Sequence, residues 1–448
     1  MAKHIAIDLG ATSGRIVVDV ASEDVEIIHR FESSNEIIMG SFYWDIINIY
    51  SEIKIGLEKA FEKYGNEIVS IGVDAWGVDY ALLDKNGTII NPIYHYRDRR
   101  THEVFDELNR KIGKNRLLKA SGISFHEYNT IYQLYSQFKK NRNLFDIVKY
   151  YVSIPDLIAY FLSGKITNER THASTTGLYN CNTEDWDWNL IKDLGFPENI
   201  FSPIVNSGTI IGEMEASLKR ELNVNHEVKI VSCATHDTAS AVSTLKNTAY
   251  ISSGTWSLIG INIEKPILNF DALELGFTNE TGGENQITFV KNIMGMWISN
   301  QCVASHFGKN VDIDWKKLDE KTMDCIDYRG YIDPLNSVFI SPNSGDDTME
   351  KRVFQHLIEN GFEAPTSIGE YLIAIYRGLA KSYKKSIVEI EKLTDTKIEN
   401  IQIIGGGCKN TILNELTRQE TEKNIIIGPI EATALGNIYY QKKAILKS

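Results

Sequence analysis

Residues 4–20 read HIAIDLGATSGRIVVDV, and this stretch decides the fold class. Apolar β-forming residues flank a cluster of glycine and hydroxyl residues, which predicts a strand, a tight turn and a returning strand. Residues 249–262, AYISSGTWSLIGIN, repeat the same plan. Amphipathic helical patterns alternate with strands, for example over residues 46–64 (IINIYSEIKIGLEKAFEKY). We therefore predict an α/β protein with two halves of similar plan.

The domain boundary is predicted from two segments. Residues 101–225 carry mostly helical patterns and indicate an insertion or a lid, in which Trp186 and Trp188 resemble surface anchors. Residues 227–243, EVKIVSCATHDTASAVS, read as a buried strand, a polar turn and a small-residue helix, and we take this strand as the start of a second sheet. The boundary is therefore placed near residue 245, which gives domains of 1–244 and 245–448.

Composition restricts the function classes. The 448-residue chain has a formal net charge of −12 with scattered Lys and Arg, so a nucleic-acid partner is not expected. Five cysteines without a C-x-x-C pair argue against a disulfide framework or a zinc site, and they favour a reducing cytoplasm. No signal peptide precedes the first strand pattern, and no uninterrupted apolar run reaches the roughly 18 residues of a membrane span. We expect a cytoplasmic protein.

The turn in DLGATSGR (residues 8–15) is a candidate phosphate site. Gly10 and Gly14 allow a tight reversal that directs backbone N–H groups and two hydroxyls at an anion. Asp8 is placed to hold a magnesium ion, and Arg15 to neutralise a terminal phosphate. Taken alone, the segment is equally well explained as an ordinary glycine-containing hairpin.

Two further glycine-rich turns strengthen the nucleotide interpretation. SSGTWS (252–257) lies in the second hairpin, and IQIIGGGCKNTILNELT (401–417) follows a strand and opens a helix, so bare backbone there can pack against a base or ribose. Neither matches G-x-G-x-x-G or G-x-x-x-x-G-K-[ST], which excludes the Rossmann and P-loop interpretations. Together with the first turn they favour a nucleotide clamp.

Asp237, in the segment ATHDTAS (234–240), is the candidate general base. It follows a buried strand and precedes a helix, where a carboxylate can be held beside a substrate hydroxyl that attacks a γ-phosphate. The alternative is that Asp237 is a helix N-cap, a position that Asp favours. His236 beside it is expected to orient a partner by hydrogen bonding.

A sugar platform is predicted in GVDAWGVDY, because an indole face covers C–H bonds while carboxylates bind hydroxyls. The residues concerned are Asp74, Trp76, Gly77 and Asp79. The alternative is a core tryptophan beside a bulge. YRDRR (96–100) is a second candidate for sugar contact, although a solvated helix start explains it equally well.

A series of segments along nearly the whole chain resembles the FGGY carbohydrate kinases of the actin-like ATPase superfamily. In order they are DLGATSGR, GVDAWGVD, YRDRRT, NTIYQL, IPDLIAYFLSG, HDTASAV, YISSGTWSL, KNIMGMW, GGGCKN and GPIEATALGN. The resemblance implies an α/β fold of two RNase H-like domains flanking a deep cleft. It also implies that 1–244 binds the sugar and carries the first phosphate hairpin and the base, while 245–448 binds the nucleotide.

Site residues carry over by position. The resemblance implies ATP contacts at Ala11, Thr12, Ser13, Gly14, Arg15, Thr255 and Gly406, and sugar contacts at Gly77, His236, Asp237, Thr238 and Asn292. Asp237 would accept the proton, and Asp8 would be the carboxylate on the magnesium side. The prediction also includes Asp74 and Trp76 of the platform as sugar contacts, and Gly405 of the third turn as an ATP contact. Where family members have a nucleotide-contacting Gln, this chain has Asn300, followed by Gln301, and we assign Asn300 to ATP.

The implied activity is ATP- and Mg²⁺-dependent phosphorylation of L-rhamnulose at O1, in L-rhamnose catabolism. A kinase for L-fuculose or L-xylulose is the alternative within the family, because one fold serves many sugars. A non-catalytic actin-like nucleotide switch or sugar sensor is the alternative outside it, and such a protein would not need Asp237. The predicted partners are a sugar and ATP, and the sequence leaves monomer and homodimer open.

Overall fold

The computed structural model describes residues 2–21, 24–243, 245, 248–284, 286–308, 311–340, 343 and 345–447. Within them the strands are β1 (Lys3–Leu9), β2 (Ser13–Asp19), β3 (Val25–Glu32), β4 (Asn35–Ile38), β5 (Ser41–Trp44), β6 (Ile68–Ala75), β7 (Tyr80–Leu83), β8 (Tyr150–Ser153), β9 (Asn168–Glu169), β10 (Tyr179–Asn180), β11 (Asp185–Trp186), β12 (Ile204–Val205), β13 (Thr209–Glu213), β14 (Lys229–Ser232), β15 (Ala249–Ser253), β16 (Trp256–Ile263), β17 (Phe277–Thr281), β18 (Ile287–Met294), β19 (Asn400–Ile404) and β20 (Asn424–Ile427). The α-helices are α1 (Ile46–Tyr64), α2 (His102–Ile112), α3 (Lys114–Ser121), α4 (Thr130–Lys140), α5 (Ile154–Ser163), α6 (Arg170–Ala173), α7 (Trp188–Leu194), α8 (Ala216–Glu221), α9 (Asp237–Val242), α10 (Phe270–Glu274), α11 (Trp297–Phe307), α12 (Trp315–Met323), α13 (Met349–Glu359), α14 (Ile368–Thr394), α15 (Thr411–Thr421) and α16 (Ala432–Ile445).

The first sheet has the strand order β13-β14-β6-β1-β2-β3. β1 runs antiparallel to β2 and parallel to β6, so the predicted opening hairpin is confirmed. The hairpin turn is closed by a hydrogen bond from the Gly10 N–H to the Ser13 carbonyl, 3.1 Å long. The predicted helix α1 is also confirmed, and it begins after Asp45, whose side chain accepts from the Asn48 N–H.

The strand in residues 227–243 was predicted to begin a second sheet, and that prediction is wrong. It is β14, and it pairs in parallel with β6 inside the first sheet. A buried strand followed by a small-residue helix is a local signal. It does not identify the partner strand, which here lies far away along the chain.

The second sheet has the order β17-β18-β16-β15-β19-β20. β15 runs antiparallel to β16 and parallel to β19, which is parallel to β20. The first sheet has the same arrangement, because β1 runs antiparallel to β2 and parallel to β6, which is parallel to β14. The prediction of two α/β halves of similar plan is therefore confirmed.

The chain divides into two compact units. Unit 1 comprises Met1–Thr244, Ile263–Thr288 and Glu431–Ser448, and unit 2 comprises Leu245–Asn262 and Phe289–Ile430. Thr244, on which the predicted boundary falls, lies outside the described residues, and the roles assigned to 1–244 and 245–448 stay predictions. Unit 1 also includes two segments that follow the predicted boundary, Ile263–Thr288 and Glu431–Ser448.

Residues 101–201 contribute a separate apolar core within unit 1. Its members include Leu108 and Leu134, together with Trp186. Trp186 is 1% exposed and packs against Tyr151 and Phe201, so its prediction as a surface anchor is wrong. Trp188 is 37% exposed, as expected. Both tryptophans have acidic neighbours in the sequence, so the prediction did not distinguish them. Alternate residues of a chain can nevertheless face opposite sides.

Helix α16 belongs to unit 1 through close packing and polar contacts. The Gln441 side chain donates to the Ile5 carbonyl (2.8 Å) and accepts from the Ser70 hydroxyl (2.6 Å). A Cβ at Gly436 would lie 1.9 Å from the Ser240 carbonyl oxygen, so only glycine allows this approach of α16 to α9.

Helix α14 is buried along one side in unit 2. The Tyr383 hydroxyl lies 2.6 Å from the Ser257 hydroxyl, and Lys291 forms an ion pair of 2.9 Å with Glu389. Of the helices that the structure describes, none is both long and apolar enough to cross a membrane.

Candidate active site

Three neighbouring strands of unit 1 deliver polar residues to one edge of the first sheet. At this edge the Trp76 N–H donates to the Leu9 carbonyl (3.1 Å), and the Ala75 N–H donates to the Thr235 carbonyl (2.9 Å). The residues that follow β1, β6 and β14 therefore lie side by side. The carboxyl edge of parallel strands is where open α/β sheets bind ligands.

Arg15 is held between two carboxylates. Its guanidinium donates twice to Asp8 Oδ2, at 2.9 and 2.6 Å, and its Nε lies 3.0 Å from Glu431 Oε2. Asp8 is 3% exposed, and burial raises its pKa while the adjacent Arg15 opposes that shift. The predicted phosphate residue and the predicted metal residue thus form one buried ion pair.

Asp74 lies next to Asp8 across the parallel pairing of β1 and β6. It is fully buried, and its Oδ2 accepts from the Asn437 side chain (2.6 Å). Its Oδ1 is buried and has no hydrogen-bond partner among the described residues. Burial first, and then the negative charge of Asp8, raise the pKa of Asp74 well above its usual range.

Asp237 is the first residue of α9, and the N-cap of that helix is His236. The N-cap interpretation of Asp237 is therefore wrong. Its Oδ1 accepts from the Thr238 N–H (2.6 Å) and from the Thr238 hydroxyl (3.2 Å). Burial raises the pKa of Asp237 to about 6, and the Thr238 hydrogen bonds oppose the shift. A carboxylate with this pKa is ionised at neutral pH and basic enough to accept a proton.

His236 is 7% exposed and stands between two acids. Its Nε2 lies 3.4 Å from Asp237 Oδ1, and its Nδ1 lies 3.3 Å from Glu280 Oε2. Burial lowers the pKa of His236, which favours the neutral imidazole. Gly77 is close by, because a Cβ placed on it would lie 3.2 Å from His236 Nε2. The structure thus brings Gly77, His236 and Asp237 together, as predicted from the sequence.

Trp76 is mostly engaged in packing. It is 5% exposed, stacks on Trp44 with ring centroids 4.1 Å apart, and donates to Asp79 Oδ2 (3.0 Å). Asp79 is fully buried and also accepts from Trp44 Nε1 (2.6 Å) and from the Gln133 amide (3.0 Å). These contacts correspond to the core-tryptophan alternative.

The segment YRDRR leads into α2 and is solvated in part, because Arg97 and Arg99 are exposed while two of its other residues are buried. Asp98 is 6% exposed and Arg100 8%. The Arg100 guanidinium donates to Gln133 Oε1 (2.6 Å) and lies 4.0 Å from the centre of the Tyr94 ring. These neighbours engage the Arg100 guanidinium and hold the segment in place.

Unit 2 contains two of the predicted nucleotide turns in mutual contact. In the β15–β16 turn, the Gly254 carbonyl accepts from the Met296 N–H (2.9 Å). A Cβ at Gly407 would lie 2.1 Å from Ser253 Oγ, so the third glycine-rich turn lies directly against the β15–β16 turn. Gly405 has φ +81°, a conformation that favours glycine, and a Cβ on Gly406 would meet only open space.

The remaining predicted contacts differ in accessibility. In the first turn, Thr12 is exposed, Ala11 and Ser13 are half-buried, and Gly14 is buried. In unit 2, Thr255 is half-buried, Asn300 is exposed, and Asn292 Oδ1 is buried with no hydrogen-bond partner among the described residues. The Gln301 side chain accepts a hydrogen bond from the Asn343 N–H (3.2 Å). Asn300 takes no part in that hydrogen bond.

Comparison with protein families matches residues 4–243 to the N-terminal domain, and residues 249–445 to the C-terminal domain, of the FGGY family of carbohydrate kinases. The chain belongs to the FGGY family of carbohydrate kinases. As a member it is an ATP-dependent sugar kinase that transfers phosphate to an alcohol group.

Curated relatives span nearly the full length of this FGGY kinase. It is 38% identical to the rhamnulokinase of Halalkalibacterium halodurans, with 98% of this chain and 93% of the relative covered. It is 37% identical to the rhamnulokinase of Bacillus subtilis, with 98% and 89% covered.

Solved structures support the same fold. The gluconate kinase of Lactobacillus acidophilus superposes with a TM-score of 0.81 at 15% identity, covering all of this chain and 90% of the other. The glycerol kinase of Plasmodium falciparum, solved with ADP, gives a TM-score of 0.79 at 16% identity, covering 100% and 90%. The predicted fold of two RNase H-like domains is confirmed.

Glu169 of this FGGY kinase was not singled out from the sequence, yet it positions the segment before Asp237. Its Oε2 accepts from the N–H and hydroxyl of Thr171 (2.8 and 2.5 Å) and of Thr235 (3.1 and 2.9 Å). The Thr171 hydroxyl in turn accepts from the His236 N–H (3.1 Å). A fully buried carboxylate thus fixes the backbone just before the candidate base. The only sequence signal was the density of polar residues around it.

We predict that Glu169→Gln lowers both stability and turnover. The amide retains one acceptor oxygen but loses the charge, and hydrogen bonds to a buried charged group are worth about 1.5–3 kcal/mol. The expected loss is about 2 kcal/mol in the free energy of unfolding, with a lower kcat, measured by denaturant titration and steady-state assay. Glu62→Gln, at an exposed position of α1, is the matched control. A Glu169→Gln enzyme as stable as the wild type would contradict this role.

Proposed function

We propose that this FGGY kinase phosphorylates L-rhamnulose at O1 with ATP in L-rhamnose catabolism, in the cytoplasm. The observation that carries the proposal is the full-length similarity, at 32–38% identity, to six curated rhamnulokinases. The site in unit 1 supports it, because a half-buried carboxylate of raised pKa lies beside a histidine whose pKa is lowered by burial, and a glycine lies close to that histidine.

Asp237 is proposed as the proton acceptor. Thr238 engages Oδ1, and no hydrogen bond from a described residue engages Oδ2. Oδ2 is therefore the oxygen that we assign to the 1-hydroxyl of the sugar. As this hydroxyl attacks the γ-phosphorus, its proton passes to Asp237, and the bond from the phosphorus to the ADP oxygen breaks.

The remaining sugar contacts are assigned to groups that lack partners or leave space. Gly77 leaves room at His236 Nε2, Thr238 borders the base, and Asn292 Oδ1 is buried without a described partner. Asp74 presents the unpartnered Oδ1, and Trp76 contributes only the small exposed part of its ring. A buried polar atom without a partner is costly, and a ligand hydroxyl removes that cost.

ATP contacts are assigned to both units. Residues 11–15 in the first hairpin would receive phosphate oxygens through backbone N–H groups and hydroxyls. In unit 2, Thr255 and Asn300 would bind the nucleotide, and the open backbone at Gly405 and Gly406 would pack against the base or ribose. Under this proposal 1–244 binds the sugar and also carries the first phosphate hairpin, while 245–448 supplies the other nucleotide contacts.

The residues present fit a magnesium ion that the nucleotide helps to hold. Mg²⁺ in kinases binds one or two carboxylates together with substrate phosphates and water. Asp8 supplies such a carboxylate, and Asp74 beside it has an unpartnered oxygen. When bound, the ion would neutralise charge on the transferred phosphate. Arg15 holds Asp8 in place and opposes the rise of its pKa.

A substrate panel tests the proposed function. ADP release is measured with Mg-ATP and L-rhamnulose, L-fuculose, L-xylulose, D-xylulose, D-ribulose or glycerol. We expect kcat/KM to be highest for L-rhamnulose. A higher value for another sugar would replace the proposed substrate while keeping the kinase, and no turnover with any ketose would leave a nucleotide switch or sugar sensor.

Asp237→Asn should reduce kcat by roughly 10³-fold, within the range for loss of a general base. The amide is nearly isosteric but cannot accept the proton. Binding of ATP, measured by calorimetry, should remain within twofold of the wild type. Asp106→Asn, at an exposed position of α2, serves as control. Near-normal turnover in Asp237→Asn would remove Asp237 from the mechanism.

The pH dependence of kcat/KM for the sugar should report the ionisation of Asp237. The base must be deprotonated, and its pKa is raised to about 6, so kcat/KM should be level above that pH and fall about tenfold per unit below it. Thr238→Val removes a hydrogen bond to the carboxylate and should move the inflection to higher pH. A level profile down to pH 5 in enzyme shown to be stable there would contradict the assignment.

A further inference from the structure

Glu280 is a largely buried carboxylate that none of the sequence motifs includes. It lies in β17, and its side chain is 12% exposed. Its two neighbours in the chain are fixed within unit 1. The Asn279 N–H donates to the Gly122 carbonyl (2.9 Å), and the Thr281 N–H donates to the Ser174 hydroxyl (2.9 Å). The backbone that carries Glu280 is therefore held in place.

Glu280 faces the ring nitrogen of His236 that is directed away from Asp237. Glu280 Oε2 lies 3.3 Å from Nδ1, and neither atom forms a well-aligned hydrogen bond with any described group. Such contacts are often long in a substrate-free site. A neutral imidazole carries a single N–H, so only one of the two carboxylates beside the ring can accept from it.

The hydrogen bonds already present decide which acid that is. Asp237 Oδ1 accepts two bonds from Thr238, whereas the described part of the chain offers Glu280 Oε2 no donor other than the adjacent ring. Placing the proton on Nδ1 supplies Glu280 with a donor and leaves a lone pair on Nε2. Gly77 provides the space next to Nε2, at 3.2 Å from the position of a Cβ, through which a hydroxyl can approach.

We infer that Glu280 fixes His236 as the Nδ1–H tautomer and thereby makes Nε2 the acceptor for one hydroxyl of the sugar. Glu280 acts through His236 and is a positioning residue for sugar recognition, an inference that rests on the proposed function of the site. A sugar without that hydroxyl leaves the Nε2 lone pair facing the Asp237 carboxylate. The enzyme therefore discriminates against the corresponding deoxysugar, because an unpartnered buried acceptor is penalised.

The tautomer is measured directly by NMR of the substrate-free enzyme with ring-¹⁵N-labelled histidine, and His236→Gln identifies the signals. We expect a protonated Nδ1 and an unprotonated Nε2 in the wild type. Glu280→Leu, and Glu280→Gln as a milder change, should move protonation towards Nε2. A wild-type His236 protonated at Nε2, or at both nitrogens, near pH 7.5 overturns the inference. A tautomer unchanged in both variants does so as well.

Kinetics provide the second test. Glu280→Gln should raise the KM for L-rhamnulose about tenfold and leave the KM for ATP within twofold, as expected for one lost hydrogen bond. The discrimination between L-rhamnulose and its monodeoxy analogues should shrink in this variant. Glu284→Gln, on the same segment and paired with Lys443, is the control. Equal rises in both KM values would indicate a general structural role and overturn the inference.

The two tests also separate this inference from the proposed function. If the panel identifies another sugar, that sugar and its deoxy analogues replace L-rhamnulose in the kinetic test. The NMR result needs no substrate, so it stands or fails on its own.

Discussion

Two carboxylates buried side by side at the ends of neighbouring parallel strands are the constraint on which the site in unit 1 depends. Adjacent strands lie about 4.8 Å apart, and two unit charges at that distance repel by roughly 3 kcal/mol at an effective dielectric of 20. Asp8 and Asp74 occupy such positions. Burial raises the pKa of both carboxyl groups, and the structure reduces the repulsion unequally, because the Arg15 ion pair opposes the shift at Asp8 whereas the negative charge of Asp8 adds to the shift at Asp74. Two residues from a distant part of the chain contact this pair, Glu431 through Arg15 and Asn437 through a hydrogen bond to Asp74.

Carboxylates with specific partners also determine the surroundings of Asp237. Glu169 contacts this segment at Thr235 and Glu280 contacts it at His236, and each carboxylate has a different function there. Glu169 accepts backbone and hydroxyl donors and sets the path of the chain. Among the described residues, Glu280 Oε2 faces the ring of His236 and so bears on its tautomer. A kinase transition state has little covalent chemistry for the protein to perform, and positioning together with electrostatics supplies most of the catalysis. Buried acids that hold a base and a histidine in place match that requirement.

Local patterns in the sequence predicted the elements well but not their partners. The hairpin of residues 4–20, its repeat at 249–262, helix α1 and the strand before Asp237 follow from periodicity and turn residues. The partner of β14 does not, because a strand carries no mark of the sheet it joins. Gly77 and His236 were recognised from motifs, whereas Glu169 and Glu280 were missed because their contacts lie far away along the chain. Trp186 shows the converse error, in which acidic neighbours suggested exposure for a residue that packs in a core.

The return of α16 to unit 1 has a consequence for how the protein is made. Gln441 and Asn437 complete the hydrogen bonding of β1 and β6, and Gly436 lets α16 lie against α9. Domains emerging from a ribosome generally fold as units, with the N-terminal one first. Here β1 and β6 are translated early, but their hydrogen-bond partners on α16 are made only after the whole of unit 2. The hydrogen bonding of the sheet that carries Asp8 and Asp74 therefore stays incomplete until late in synthesis. During that interval Asp74 and Ser70 lack their native partners on α16.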